Sequence, residues 1–219
     1  MNNRTVSIPL PQARDMAKAV LPHVLNDGKY PVMEHAVIRN GNVYATDRYT
    51  VIEYPLPDSR WSNDKGKVQH WDDWEGLLYV PHAALKVISA LTDKSLTLAR
   101  GYSDVAHVLI REGAESTTVE IVTQSGQTVH NATFPVSVGN YPPVWDLIDK
   151  WQPQEDVAPA PMFKAEHFTK VTKVLAKDDV FTITPGRTAN GAQPIPPAMI
   201  EVPDRFRVLI QPNLRVRNL

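Results

Sequence analysis

The chain has 219 residues, with 23 basic and 24 acidic side chains, 42% hydrophobic residues and no cysteine. Near-zero net charge argues against a generally basic protein that coats nucleic acid and leaves charge segregation open, while the missing thiols exclude disulfides and thiolate-held zinc and fit a reducing, intracellular setting. Met1 to Leu10 lacks the apolar run of a signal peptide and no window approaches the roughly 18 apolar residues of a membrane helix, so one large or two smaller non-membrane domains are expected.

Residues 4–10 fit a short edge strand, and Pro11 suits a first helical turn. Met16, Ala17, Val20, Leu21 and Val24 recur at helical spacing, which predicts a helix over 11–21 with Pro22 ending it or sitting in a kinked last turn. His35–Arg39 and Asn42–Thr46 flank Asn40-Gly41, the strongest short hairpin signal, because both turn residues must take positive φ. Asp47-Arg48 makes a second turn into a strand over Tyr49–Tyr54. Pro55 to Trp74 is polar and aromatic without a period and reads as a loop. Leu77–Val80 is a strand, and Pro81 opens a second helix with Leu85, Val87, Ile88 and Leu91 inward. Strands follow at Ser95–Arg100, Val105–Arg111, Thr117–Thr123 and Thr128–Phe134, with the alternation of Val119, Ile121 and Val129 suggesting one buried face. Residues 152–162, Pro-rich and acidic, read as an extended linker. A third helix is expected from Lys164 to Lys177 with Phe168, Val171 and Leu175 inward, then strands at Val180–Thr184, Met199–Val202 and Phe206–Gln211 around a long loop, Pro185 to Pro197. One unit, a helix followed by antiparallel strands, thus recurs from Pro11, Pro81 and Lys164. The fold class is α+β, with residues 1–150 holding two units, 151–162 the linker and 163–219 a single further unit.

Charge is not spread evenly over this pattern. The helix windows 11–25, 81–94 and 164–177 hold eight basic and three acidic residues, and the remainder 15 basic and 21 acidic. At about 100° per residue, Lys170, Lys173 and Lys177 fall within roughly 60° of one another, opposite the apolar stripe. Lysine is a flexible point charge suited to phosphate contact without base reading. Exposed lysines are also ordinary on any solvated helix face, so periodicity alone does not decide between the two readings.

Catalytic and metal signatures are missing from the sequence. His23, His35, His70, His82, His107, His130 and His167 form no i, i+4 pair around a glutamate. Thr184-Pro185-Gly186-Arg187 lacks the spacing and lysine of a phosphate loop, and there is no Gly-x-Ser-x-Gly elbow. His70-Trp71-Asp72-Asp73 has ligand types, but reads as a polar loop with an anchoring Trp. Asp47 reads as a turn cap. Trp61, Trp71 and Trp74 either stack bases or fold their loop onto the body.

Four stretches resemble the bacterial and phage β-type DNA sliding clamp family. They are the helix at Gln12–Val24 leading to Pro31-Val32-Met33 and the hairpin; Asn42-Val43-Tyr44-Ala45-Thr46-Asp47; Tyr79-Val80-Pro81-His82-Ala83-Ala84-Leu85 with Phe134-Pro135; and Phe206-Arg207-Val208-Leu209-Ile210-Gln211-Pro212-Asn213-Leu214. The resemblance implies helices lining a hole, basic faces meeting duplex phosphates, outer sheets pairing across subunits, and a non-enzymatic tether for a replication polymerase in the cytoplasm of a bacterial or phage-infected cell. It needs no cofactor. Arg14, Lys18, Lys86, Lys170, Lys173 and Lys177 become the expected DNA contacts, electrostatic and salt-dependent. Leu209, Ile210, Pro212 and Leu214 become the expected partner contacts; an edge strand with a loose end is the other reading of that stretch. Family rings use twelve units, so three per chain imply a homo-oligomer of four, a missing half supplied from elsewhere, or lost ring closure. A clamp-derived factor that binds a replication or host protein without encircling DNA is the alternative. A metal-dependent nuclease using strand-end Asp and Glu is a third reading.

Overall fold

The computed structural model describes residues 4–91, 105–137, 139–153, 163–175, 178–186 and 197–212. The expected strand at Ser95–Arg100, most of the 152–162 linker, the middle of the 185–197 loop, and Lys94, Lys177, Leu214, Arg215 and Arg217 lie outside these residues.

The first unit is β1 (Thr5–Pro9), α1 (Leu10–Val20), β2 (His35–Arg39), β3 (Asn42–Thr46) and β4 (Thr50–Pro55). Pro11 sits in the first turn of α1, and the helix runs on as a 3-10 turn, Leu21–His23, that contains Pro22. Asn40 and Gly41 have φ of 46° and 74°, so the β2–β3 turn is the expected hairpin. The second unit is β7 (Leu78–Pro81), α2 (His82–Ala90), β8 (Val105–Glu112), β9 (Ser116–Thr123) and β10 (Thr128–Pro135). The third is α4 (Ala165–Thr172), β11 (Thr182–Pro185), β12 (Ala198–Val202) and β13 (Phe206–Ile210). Its helix is shorter than the sequence period suggested: it ends at Thr172, and Lys173 is its C-cap.

Among the described residues all strand pairs are antiparallel, in a six-stranded sheet ordered β10-β9-β8-β1-β5-β6, where β5 is Arg60–Ser62 and β6 is Val68–Gln69, and a seven-stranded sheet ordered β11-β12-β13-β4-β3-β2-β7. The first two units interlock, because each opening strand joins the other unit's sheet: β1 pairs with β8, and β7 with β2. The third unit extends the first directly, with Ile210 to Arg207 of β13 aligned on Thr50 to Glu53 of β4.

The strand β1, expected at an edge, lies inside its sheet between β8 and β5, and two further stretches differ from the sequence reading. The stretch from Pro55 to Trp74 is not all loop: β5 (Arg60–Ser62) pairs with β1, and β6 (Val68–Gln69) pairs with β5. Strands of two or three residues are too short to show a period. The three tryptophans fold this segment onto the body. Trp61 and Trp74 are buried and meet edge to face at 5.2 Å, and Arg4 lies 4.4 Å over the Trp74 ring. Base stacking is therefore closed to these two rings. Trp71, in a 3-10 turn at Trp71–Asp73, closes over Gly41, where an added Cβ would meet its ring at 3.2 Å. The second difference is a helix, α3 (Val144–Asp149), whose Val144 and Ile148 are buried.

Alternation along the seven-stranded sheet separates two cores. Ala36, Ile38, Val43, Ala45, Ile52, Ile200, Val208 and Ile210 face the main core with all three repeat helices, while Val37, Tyr44, Val51, Met199 and Leu209 face a second core under Tyr141–Trp151. Tyr79 Oη donates to Gly139 O at 2.6 Å and Trp151 Nε1 to Pro197 O at 3.1 Å, tying that cover to the sheet. The six-stranded sheet keeps a solvated outer face, carrying Arg111–Glu120 at 2.7 Å and a Thr118–Thr133 hydroxyl contact at 2.9 Å. No helix among the described residues is long and apolar enough to cross a membrane.

Candidate polyanion face and partner groove

The three repeat helices turn one face to the main core: Met16, Ala17 and Val20 of α1, Ala84, Leu85 and Ile88 of α2, and Val171 of α4. The expected contact residues divide on what is left. Lys18 and Lys86 are exposed on α1 and α2, which pack side by side, and Lys173 is exposed at the end of α4. Arg14, half-buried, lies one turn before Lys18. Lys170 behaves differently. It is half-buried and ion-paired with Asp47, whose side chain is 7% exposed. The helical stripe of lysines inferred from spacing therefore contains one residue already held by a carboxylate across the fold.

Three charged joints fasten the third unit to the first. Arg207 binds Glu53 across β13 and β4, with Nε donating to Oε2 at 2.7 Å, and Tyr44 Oη donates to the other Glu53 oxygen at 2.8 Å. Arg205 binds Asp15 on α1 at 2.6 Å and also pairs with Asp179. Lys170–Asp47 is the third.

Asp47 is the turn cap expected of it. Its Oδ1 accepts from the Tyr49 amide at 3.0 Å and from the Thr50 amide and hydroxyl, both at 2.7 Å. Burial opposes its charge, but the bonds from Lys170 and Thr50 outweigh that and hold its carboxyl below the ordinary carboxylate range. Thr50 Oγ1 lies 2.7 Å from His23 Nδ1. Since the hydroxyl proton goes to Asp47, His23 must donate, which leaves its buried Nε2 as an acceptor without a partner. Burial is the main force pushing the His23 pKa down to about 3; Asp47 pulls it up, and Lys170 and His167 push it further down. His23 is therefore neutral.

This loop walls a groove of about 280 Å³, lined by the apolar Met33, Val51, Pro142, Val144, Leu147 and Leu209 and by Thr46, Arg48, Tyr49 and Gln211. Leu147 is 55% and Tyr49 48% exposed. Arg48 stands over the Tyr30 ring at 4.8 Å and has a φ of 80°, a strained setting for a non-glycine residue beside a groove. Of the expected partner residues, Leu209 lines this groove, and Pro212 is buried nearby in the chain. Ile210 does not serve: its side chain is 0% exposed in the main core, because alternation points it to the opposite face from Leu209. The sequence reading missed Leu147 and Val144, since α3 was not foreseen. A larger depression, about 570 Å³, surrounds Arg4 and Glu112, which already neutralise each other at 2.6 Å. No group of three or more His, Asp or Glu among the described residues is placed to hold a metal.

Neither a protein-family model nor a curated protein sequence matches the chain. Solved structures do. The DNA polymerase sliding clamp of Bacillus subtilis aligns with a TM-score of 0.59 at 14% identity, over 95% of this chain and 64% of that one. DNA polymerase III subunit beta of Borrelia burgdorferi aligns at 0.60 and 8%, over 95% and 64%. The beta sliding clamp of C. crescentus aligns at 0.57 and 12%, over 95% and 65%. The chain thus spans less than two thirds of the length of these clamps, and at such identities the likeness speaks for architecture. Helices packed on antiparallel sheets, with opening strands exchanged between units, give this chain the fold of the bacterial DNA sliding clamp.

Proposed function

We propose that the chain is a clamp-like processivity factor, a binding and tethering protein without catalysis, which contacts duplex phosphates non-specifically and holds a replication polymerase or related protein in a bacterial or phage-infected cell. The observation that carries this reading is the exposure of Lys18, Lys86 and Lys173 on helices that otherwise face the core of a clamp fold. Point charges on flexible stems bind a backbone without reading bases, which suits movement along it. The 280 Å³ groove at Leu209 and Leu147 is the proposed seat of the protein partner, being apolar with a few placed polar groups. Ring closure needs more than one chain. The test is solution mass together with retention on nicked circular DNA before and after linearisation. A homo-oligomer that stays on the circle and runs off the linear form is expected. A monomer at micromolar concentration with no preference between the two would refute ring formation.

A second reading has an observation of its own. Lys170 is held by Asp47, so the third helix offers fewer free cations than its sequence suggests. A clamp-derived factor that uses the groove without encircling DNA fits that distribution. It predicts partner binding that survives neutralisation of Lys18, Lys86 and Lys173.

A further inference from the structure

We propose that Lys170 is a shared cation: on Asp47 it fixes the Tyr49–Thr50 wall of the groove, and when drawn to a phosphate of duplex DNA it releases that wall, so that DNA contact at α4 and a rigid groove are antagonistic. The proposal rests on the reading of α4 as a DNA-facing helix.

The connection is a continuous polar chain. Lys170 donates to Asp47 Oδ2, while Oδ1 of the same carboxylate collects the Tyr49 amide, the Thr50 amide and the Thr50 hydroxyl. Thr50 is in turn held by buried His23 at 2.7 Å. A second thread runs beside it: His167, one helical turn before Lys170 on α4, stacks on the Tyr49 ring at 5.5 Å. Tyr49 also lines the groove. The helix that would meet DNA and the wall that would meet protein thus share one carboxylate, though Lys170 and Asp47 are 123 residues apart.

Simultaneous sharing is disfavoured, although the ammonium has donors enough for both anions. The Asp47 side chain is 7% exposed and that of Lys170 28%, so an incoming phosphate reaches the ammonium from the solvent side. A phosphate bridged by Lys170 in its present position would add a second negative charge beside a nearly buried carboxylate, and like charges at that range disfavour each other. The phosphate therefore draws the ammonium outward and weakens the counter-charge at Asp47 Oδ2. A desolvated carboxylate that loses its cation is strongly destabilised, and the turn built on Oδ1 loosens with it. By linkage the effect is reciprocal, so a ligand that stiffens Tyr49–Thr50 weakens phosphate contact at Lys170.

The experiment follows exchange of the Tyr49 and Thr50 amide protons by NMR in the full chain, with and without a saturating 20-base-pair duplex. The duplex is expected to speed both by roughly 5- to 150-fold, the span of ordinary coupling between two sites. In Lys170→Met the two amides exchange fast without DNA and DNA adds nothing, whereas Lys170→Arg restores the wild-type pattern. Asp47→Asn supplies an independent arm: freeing Lys170 tightens duplex binding and steepens its salt dependence by about 0.9 in log–log slope. If the duplex binds, as shown by shifts around Lys18 and Lys86, while both amides keep their rates and Asp47→Asn leaves affinity unchanged, the coupling is wrong and the proposed function stands. If no duplex binds at all, both fail.

Discussion

Replacing Phe206 by alanine tests whether the third unit is part of one folding body with the first two. Phe206 is 2% exposed and stacks on Tyr54 of β4 at 6.4 Å, at the joint where β13 meets the first unit. Removing a buried phenyl ring costs about 3–5 kcal/mol in transfer and cavity energy, and the lost aromatic pair falls within that range. Taking about 4 kcal/mol and an m-value near 2.5 kcal/mol per molar, the urea midpoint should drop by roughly 1.5 M. Two probes should report the same drop: far-ultraviolet dichroism, which sees the whole chain, and fluorescence read in a Trp145→Phe, Trp151→Phe background, which leaves only the Trp61–Trp71–Trp74 cluster in the segment that extends the other sheet. Coincident curves before and after the substitution are expected, because Phe206, Val208 and Ile210 share a continuous core with α1, α2 and β4. A tryptophan transition that stays in place while part of the dichroism signal melts early would refute the shared core and make the third unit an independent domain.

Other outcomes follow from the same contacts. The triple variant Lys18→Gln, Lys86→Gln, Lys173→Gln should flatten the log–log salt dependence of duplex binding by about 2.7, near 0.9 for each phosphate contact removed, with an unchanged melting temperature; an unaltered slope would take these side chains off the DNA. Acid should destabilise the fold through His23: its folded pKa, about 3 against 6.5 for the free group, means that the folded state refuses a proton the unfolded chain accepts. Stability is therefore full above 6.5 and falls below it by about 1.4 kcal/mol per pH unit toward 3, with His35 and His167, also shifted down by burial, adding to the slope. Urea midpoints at pH 7.5 and 5 should show this, and His23→Gln should flatten it; an equal slope in the variant would clear His23. Gly41→Ala should cost about 1–2 kcal/mol from the left-handed backbone alone, because φ is +74° and the added carbon meets Trp71 Cγ at 3.2 Å; thermal melts followed by tryptophan fluorescence would measure it.

How much of this was readable from the residues depended on the range of the forces involved. The Asn40-Gly41 hairpin, the Pro-opened helices α1 and α2, the β8–β10 meander and the Asp47 cap each arise from neighbours in sequence, so local pattern was sufficient. The strands β5 and β6 left no period in two or three residues and exist because Trp61 anchors them beside β1. Helix α3 has only six residues inside a Pro-bounded stretch, so its apolar Val144, Leu147 and Ile148 could not separate helix from loop. The groove was half legible for the same reason: Leu209 was within reach of a C-terminal pattern, but Leu147 was not. Ile210 does not share a face with Leu209: Arg207 marks the face of Leu209, and alternation puts Phe206, Val208 and Ile210 on the opposite one, which reading the C-terminal stretch as one apolar run overlooks. Lys170 shows the limit most clearly. Spacing puts it on the solvent face opposite Phe168 and Val171, yet His167 and Val171 are the buried residues of α4 and Lys170 is half-buried on Asp47 of another unit, a pairing no local rule gives.

The charges sort by chemistry as well as by place. Arginine makes most of the joints: Arg205 to Asp15, Arg207 to Glu53, and Arg4 to Glu112, all between elements far apart in sequence. A planar fork that binds a carboxylate through two N–H groups fixes orientation as well as distance, which a joint needs. Lysine supplies the exposed helix charges at positions 18, 86 and 173, and for the proposed phosphate contact a mobile ammonium is the better tool. The two sets also differ in their response to salt. Solvent-exposed charges are screened over about 8–10 Å at physiological ionic strength, and partly buried pairs much less. On the proposed reading, raising salt within that range strips the protein from a phosphate backbone while the arginine joints keep the units together. Binding is then tuned apart from folding, which is why a near-neutral chain can carry a polyanion-binding face that its net charge conceals. Among the described residues Lys170 is the lysine found in a joint between units, and so the place where the two responses meet on the proposed reading.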